Sequence, residues 1–452
     1  MRSLHIAKMT TQPQSQPRAE IAAPQPAPVR LWLYAILGIA LVMRLLILPF
    51  VLLNRPRMWF YSHPWEMGFL ANSLVHGLGY SSPFGGSTGP TAFIAPGYPT
   101  LIAGIFLLFG VYTFTSLVVI LLLQILVALV TVALMMRLAR NLFDVPTANL
   151  AGLFWAVSLP VLWLPAIFWE SSFSALFFVV MLTLALRCRR VPTPANWILL
   201  GVFVGVAALV NPALLPSFAA ILGWLAWDTI SASRAAWKPA ALGALALLLV
   251  FIPWPIRNAV RFHAFIPLRS TVGFELWMGN RPGATGRLDE SVFPMFNQHE
   301  LASYLAEGEA AYTHNKSTEA WSYIRSHPAV FADLTARRFY RFWTGTGNLG
   351  GSITYEMHAL ITTLFGFTGL VLLFRRQRCI ATLFALPLLF FPLPYYITHA
   401  EFRYRLNIDP LLTLLAAYAI TQIFAALAAR RSHAIPASSP AMHSAADGAA
   451  IH

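Results

Sequence analysis

HPWEMGFLANSLVHGLGYSSPFGGSTGPTAFIAPGYP, residues 63–99, is the stretch from which the rest of the chain is best read. It lies between two strongly apolar segments and carries one acid, two histidines and seven glycines. The acid is Glu66. Only 17 of 452 residues are Asp or Glu, so an acid at the end of an apolar run needs a reason. The chain is 58% hydrophobic and 11% charged, against roughly 45–50% and about 25% in a soluble domain. Apolar runs of about 17–25 residues recur, the length that crosses hydrocarbon as a helix. The reading is an all-α polytopic membrane protein.

A formal charge of +14 raises the question of nucleic acid. The basic residues instead cluster in short connections beside the spans, where the positive-inside rule and anionic headgroups place them. Nucleic acid is excluded on that ground, and membrane lipid is the expected partner. Cys188 and Cys379 stand at the ends of apolar segments, with no zinc spacing and no disulfide framework.

Residues 1–30 read as a disordered cytoplasmic tail and 429–452 as another. Residues 31–256 form an N-terminal transmembrane module whose external loop, 54–96, holds Glu66, and 356–428 are the C-terminal spans. Residues 98–136 read either as two helices broken at Gly110–Ser116 or as one crossing with an embedded extra piece. Arg137, Arg140, Arg187, Arg189, Arg190, Arg234, Lys238, Arg375, Arg376, Arg378, Arg430 and Arg431 share one side only if that stretch makes a single net crossing. About ten crossings then put both termini inside and loop one outside. A span is expected over 148–168. By the same parity 257–355 is an external domain, a mainly helical cap whose later part spaces aromatic residues at helical intervals.

The residues that can carry chemistry lie at the outer face. Glu66 sits among apolar neighbours that raise a carboxyl pKa, which suits a general base; a loop acid bonded to local backbone has the same spacing. Glu170, in LPAIFWESSFSALFF, falls on the same face, where the two carboxylates could share a divalent Mg or Mn cation. A helix N-terminal acid favoured by the macrodipole is the other reading of Glu170. Arg403 and Arg405, in THAEFRYRLNIDP, are outside arginines, against the positive-inside trend. Guanidinium binds phosphate through paired N–H donors, so they are candidates for an anionic headgroup, or simply for snorkelling to lipid. Arg44, inside the first span, and Arg257, closing the seventh, could join that basic pocket. His63, His76, Tyr98 and Asn280 are the candidates for hydrogen bonds to substrate. Asn211 reads as a turn residue. Walker A, GxSxG and HExxH motifs are all missing from the chain.

Taken together, several stretches resemble bacterial membrane glycosyltransferases of the GT-C fold, in the group related to protein O-mannosyltransferases and the lipid A aminoarabinose transferase. They are WEMGFLANSLVHGLGYSSPF, GPTAFIAPGYPTLIAGIF, FWESSFSALFF, GFELWMGNRPGATG, WSYIRSHPAVFADLTARRFYRFW and EFRYRLNIDPLLTLLAAYA, in that order over about residues 31–428. The resemblance implies a bundle of about 10–11 transmembrane helices. It also implies a sugar donor on a polyprenyl phosphate such as undecaprenyl phosphate, used on the outer face of the cytoplasmic membrane, and transfer with inversion. Glu66 is implied to activate the acceptor, and Glu170, Arg403 and Arg405 match an acid and a basic segment of the family pattern. Many relatives have Asp where this chain has Glu66, often with a second acid adjacent where this chain has Met67. A transporter of a lipid-linked saccharide, or a non-catalytic partner that keeps the fold, would share the layout.

Overall fold

The computed structural model describes residues 27–54, 60, 65–346 and 353–434, and among them the regular secondary structure is helical, apart from one isolated bridge between Ser81 and Pro90. Among the described residues eight helices are long and apolar enough to span a membrane: Arg30–Leu53, Phe114–Leu142, Ser171–Arg190, Pro212–Ala232, Arg234–Phe262, Ile353–Arg376, Arg378–Ile397 and Phe402–Arg430. The protein is a multi-pass, all-α membrane protein.

The stretch left open at 98–136 is two helices, Gly97–Phe109 and Phe114–Leu142. Gly110, at φ 90°, breaks the first, and the Thr113 side chain caps the second by accepting from the Ser116 N–H. The expectation of one continuous span over 148–168 is corrected. Val145–Val157 and Leu159–Ala166 meet at a 64° bend, because Pro160 and Pro165 lack the N–H groups that would continue the ladder. The helix that begins at Arg234 runs on to Phe262, so Arg257 lies within it.

Outside the spans, the cap consists of Val272–Asn280, Gln298–Glu307, Glu309–Ser326 and Pro328–Thr344. Packing forms two large apolar bodies. One fills the bundle, around Trp155, Phe178, Phe218 and Leu412. The other lies under loop one and joins Met67, Leu70, Phe84 and Phe93 to Phe274, Tyr304 and Tyr312 of the cap. Close helix approach in the bundle depends on small residues: a Cβ on Gly201 would overlap the Gly243 carbonyl, so Pro194–Val210 and Trp237–Phe251 touch backbone to backbone.

One buried carboxylate fastens loop one to the cap. Glu309 accepts from the hydroxyl of Thr91, the Ala92 N–H (2.6 Å), the Ser270 hydroxyl (2.8 Å) and the Tyr304 hydroxyl (2.8 Å). Burial raises its pKa, and these donors pull against the rise. Glu309→Gln turns one acceptor oxygen into a donor facing donors. It is expected to lower stability by about 1–3 kcal/mol, read from thermal unfolding in detergent.

Candidate active site

Loop one begins with the helix Trp65–Val75, and Glu66 stands in its first turn, where the helix dipole favours an acid. Trp65 has a φ of 49°, a strained backbone for a bulky residue. Its ring is held at 5.4 Å from Trp169, 6.1 Å from Phe293 and 5.4 Å from Phe296. Aromatic packing thus fixes the entry to the helix and turns Glu66 inward. Glu66 is 2% exposed, and its Oε2 has no hydrogen-bond partner. Burial pushes its pKa up to about 7, against the pull of its own backbone N–H, Arg269 and Arg403.

The inward side is a cavity of about 850 Å³ between the ends of the spans and the cap. Glu66, Glu170, Arg269, Glu275, His399 and Arg403 all line it. Glu170 precedes the helix Ser171–Arg190, and its Oε2 is also buried without a partner. Burial raises its pKa, with its own backbone N–H, Arg269 and Arg403 opposing. Arg403 lies with its guanidinium 4.8 Å from the Trp169 ring centre and donates to the Tyr404 hydroxyl at 3.2 Å. Arg269 donates to the Phe93 carbonyl (3.2 Å) and lies 3.8 Å from Glu275. Burial alone would raise the Glu275 pKa, but His399, Arg269 and Arg403 outweigh it and hold the carboxyl below its ordinary value. Two carboxyls that carry their protons more tightly thus share a cavity with one that stays ionised, two guanidiniums and a histidine.

The other sequence candidates lie elsewhere. Arg405 is a correction: it is fully buried away from the cavity, paired with Asp409 and donating to Thr362 Oγ1 (2.6 Å) and Thr363 Oγ1 (3.0 Å). Asp409 in turn holds His358, whose Nδ1 lies 2.6 Å from Ser158 Oγ at the bend of the broken helix. Arg44 donates to the carbonyls of Ala40 (3.0 Å) and Ala156 (3.4 Å), so it satisfies backbone in the bundle. Arg257 clamps loop one through the carbonyls of Thr91 (2.7 Å) and Tyr80 (3.0 Å), which its fork fits as well as it would fit a phosphate. Asn280 bridges the Leu276 and Ile397 carbonyls, both at 2.8 Å. His76 is exposed, with Nδ1 against the Asn72 carbonyl, and Tyr98 packs on Phe173 outside the cavity lining. His63 lies outside the described residues. Asn211 caps the turn before Pro212, as its spacing suggested, and also lines the cavity.

Sequence reasoning missed Glu275, His399, Tyr404 and Arg269. The usable signal was Gly279. A Cβ there would overlap the Thr398 carbonyl, so only glycine lets the cap helix Val272–Asn280 lie against 398–399 and bring Glu275 to His399. Among the described residues no three His, Cys, Asp or Glu side chains converge as metal ligands.

Residues 94–256 match the family model described as dolichyl-phosphate-mannose-protein mannosyltransferase. No curated protein sequence matches the chain significantly. Among solved structures, the oligosaccharyltransferase of Archaeoglobus fulgidus in complex with zinc and sulfate aligns at 14% identity and a TM-score of 0.53, over 89% of this chain and 50% of that one. The AglB oligosaccharyltransferase from the same organism, in complex with an inhibitory peptide and a dolichol-phosphate, aligns at 14% identity and a TM-score of 0.51, over 92% and 53%. The chain thus spans about half the length of these oligosaccharyltransferases. ArnT from Cupriavidus metallidurans bound to undecaprenyl phosphate aligns at 14% identity over 91% and 81%, with a TM-score of 0.37 from which nothing is argued. The chain is a multi-pass membrane protein of the GT-C fold, similar over residues 94–256 to the dolichyl-phosphate-mannose-protein mannosyltransferases.

Proposed function

We propose that the protein is an inverting glycosyltransferase that moves a sugar from a polyprenyl phosphate, such as undecaprenyl phosphate, to an acceptor at the outer face of the cytoplasmic membrane. The observation that carries this reading is the shared cavity. It sets the buried carboxyl of Glu66, whose Oε2 has no hydrogen-bond partner, in the same space as the donor groups of Arg403 and Arg269. The matching family model is described by a lipid-phosphate sugar donor, which supports the same reaction class. Arg137, Arg140, Arg187, Arg375 and Arg376 lie at the opposite ends of their helices from the cavity, which supports an outward-facing site.

In this reading Glu66, ionised, takes the proton of an acceptor hydroxyl or amine. The acceptor heteroatom attacks the anomeric carbon from the side opposite the phosphate. One bond forms, the bond from carbon to phosphate oxygen breaks, and a single displacement inverts the centre. The lipid phosphate leaves with the electron pair, its charge held by Arg403, Tyr404 and Arg269; the proton on Glu66 passes to solvent. Preorganised donors aimed at the leaving oxygen are the main electrostatic aid. Glu170 lies within charge range of Arg403 and keeps that guanidinium oriented.

Arg403→Ala is expected to lower turnover by about 10²-fold at saturating donor, with Arg403→Lys recovering part, since it keeps the charge but loses the fork. Initial rates with reconstituted protein check this. The reading itself is tested by mass analysis of glycolipids and glycoproteins in cells lacking the protein. A missing sugar modification, restored by the wild type and not by Glu66→Gln, is expected; an unchanged glycan profile would overturn it.

A further inference from the structure

Behind the arginine wall of the cavity lies a chain of polar groups that the transfer step does not by itself require. His399 is 3% exposed. Its Nε2 lies 2.8 Å from the Tyr404 hydroxyl, and its Nδ1 lies 3.1 Å from Glu275 Oε2, close enough for an ion pair though angled off a hydrogen bond. Arg403 donates to the same hydroxyl at 3.2 Å. The Tyr404 ring is stacked on Tyr395 at 4.5 Å with 13° between planes, so the phenol has little room to swing. All five side chains line the cavity.

A phenol hydroxyl has one proton to give and two lone pairs that accept. Arg403 can only donate, and it occupies one lone pair. What the hydroxyl does with its own proton is therefore decided by His399. A carboxylate facing Nδ1 keeps a proton on that nitrogen in either charge state. In the neutral ring Nε2 is bare and takes the Tyr404 O–H, so the hydroxyl points away from the cavity. In the imidazolium Nε2–H donates to the second lone pair, and the Tyr404 proton is released toward the cavity.

We propose that His399 is a proton-linked positioning residue: its protonation turns the Tyr404 hydroxyl onto a phosphate monoester held beside Arg403. The proposal rests on the reading of this cavity as the site of a lipid phosphate. Glu275 and the phosphate would compensate the added charge. The groups that face this chain are Glu275 from the cap helix, Arg269 from the segment before it, Arg403 and Tyr404 from the last span, and Tyr395 from the helix Leu393–Ile397. Glu170 and Glu401 act on Arg403 and Tyr404 from the rim.

The test is calorimetric binding of undecaprenyl monophosphate to the full chain in nanodiscs, in buffers of different ionisation heat, which counts protons taken up. Comparing variants cancels the titration of the phosphate itself. At pH 7.5 the wild type is expected to take up roughly one more proton than His399→Gln. Its affinity ratio between pH 6 and pH 8 is expected to exceed that of the variant by about tenfold or more, since linkage to one proton gives up to about tenfold per pH unit. Tyr404→Phe, which keeps the stacked ring, is expected to lose most of the extra uptake. Inorganic phosphate is expected to show the same difference at weaker affinity, and a difference confined to the lipid would overturn phosphate as the sensed group. Equal proton uptake in wild type and His399→Gln overturns the proposal and leaves the glycosyltransferase reading standing. Full uptake in Tyr404→Phe overturns the hydroxyl switch. Absence of lipid-phosphate binding at every pH overturns the donor assignment, and this proposal with it.

Discussion

Glu66→Gln is expected to lower the transfer rate by about 10³-fold or more, since the amide cannot take the acceptor proton. Donor binding should change little, because in the proposed step the carboxyl meets the acceptor and not the phosphate. The pH profile carries the stronger signature. With a pKa of about 7, Glu66 is ionised only at neutral pH and above, so kcat/KM should rise through pH 7, not through the ordinary carboxylate range near about 4.5. Stability moves the other way. Between the ordinary value and 7 the folded protein holds a proton that the unfolded chain releases. The contribution of this carboxyl is therefore full below the ordinary value and is lost as pH rises through 7, by up to about 3 kcal/mol. At pH 8 the glutamine variant should accordingly melt no lower than the wild type, and higher if the buried charge dominates. An inactive protein that melts at or above the wild-type temperature separates a lost base from a lost fold. A variant that transfers sugar at the wild-type rate would remove Glu66 from the mechanism.

Arg405→Ala is expected to cost about 3–5 kcal/mol, because it leaves the buried Asp409 without its guanidinium partner and with His358 alone beside it. The loss should spread along the network. Asp409 holds His358, His358 holds Ser158, and Ser158 sits at the bend before the short helix Leu159–Leu162. A paired apolar replacement, Arg405→Met with Asp409→Leu, should recover most of that stability, since packing without charge carries no desolvation cost. Thermal unfolding in detergent decides this. If Arg405→Ala instead melts like the wild type while donor affinity collapses, Arg405 is a phosphate ligand after all.

That contrast shows where the sequence was legible. Rare acids at the ends of apolar runs singled out Glu66 and Glu170, and both line the cavity. Arg403 and Arg405 could not be separated in the same way. They look like a pair in the sequence, but two residues along a helix are about 200° apart, so one faces the cavity and the other the bundle. Arg257 and Arg44 were misread for a related reason: an arginine near an interface is drawn to carbonyls as readily as to phosphates, and the sequence does not say which is nearer. Glu275 and His399 are separated by more than a hundred residues, and only the glycine contact at Gly279 brings them together. The bend at Ser158 was written in Pro160, yet a long apolar run outweighed it.

The most direct test of the central claim uses purified wild-type protein in proteoliposomes, a sugar-labelled undecaprenyl phosphate donor and a membrane fraction from its own cells as acceptor. The account predicts that label leaves the carrier for an acceptor, that undecaprenyl phosphate is released in equal amount, and that the new linkage has the opposite anomeric configuration. Intact donor recovered in the opposite leaflet, with no carrier released, would contradict it.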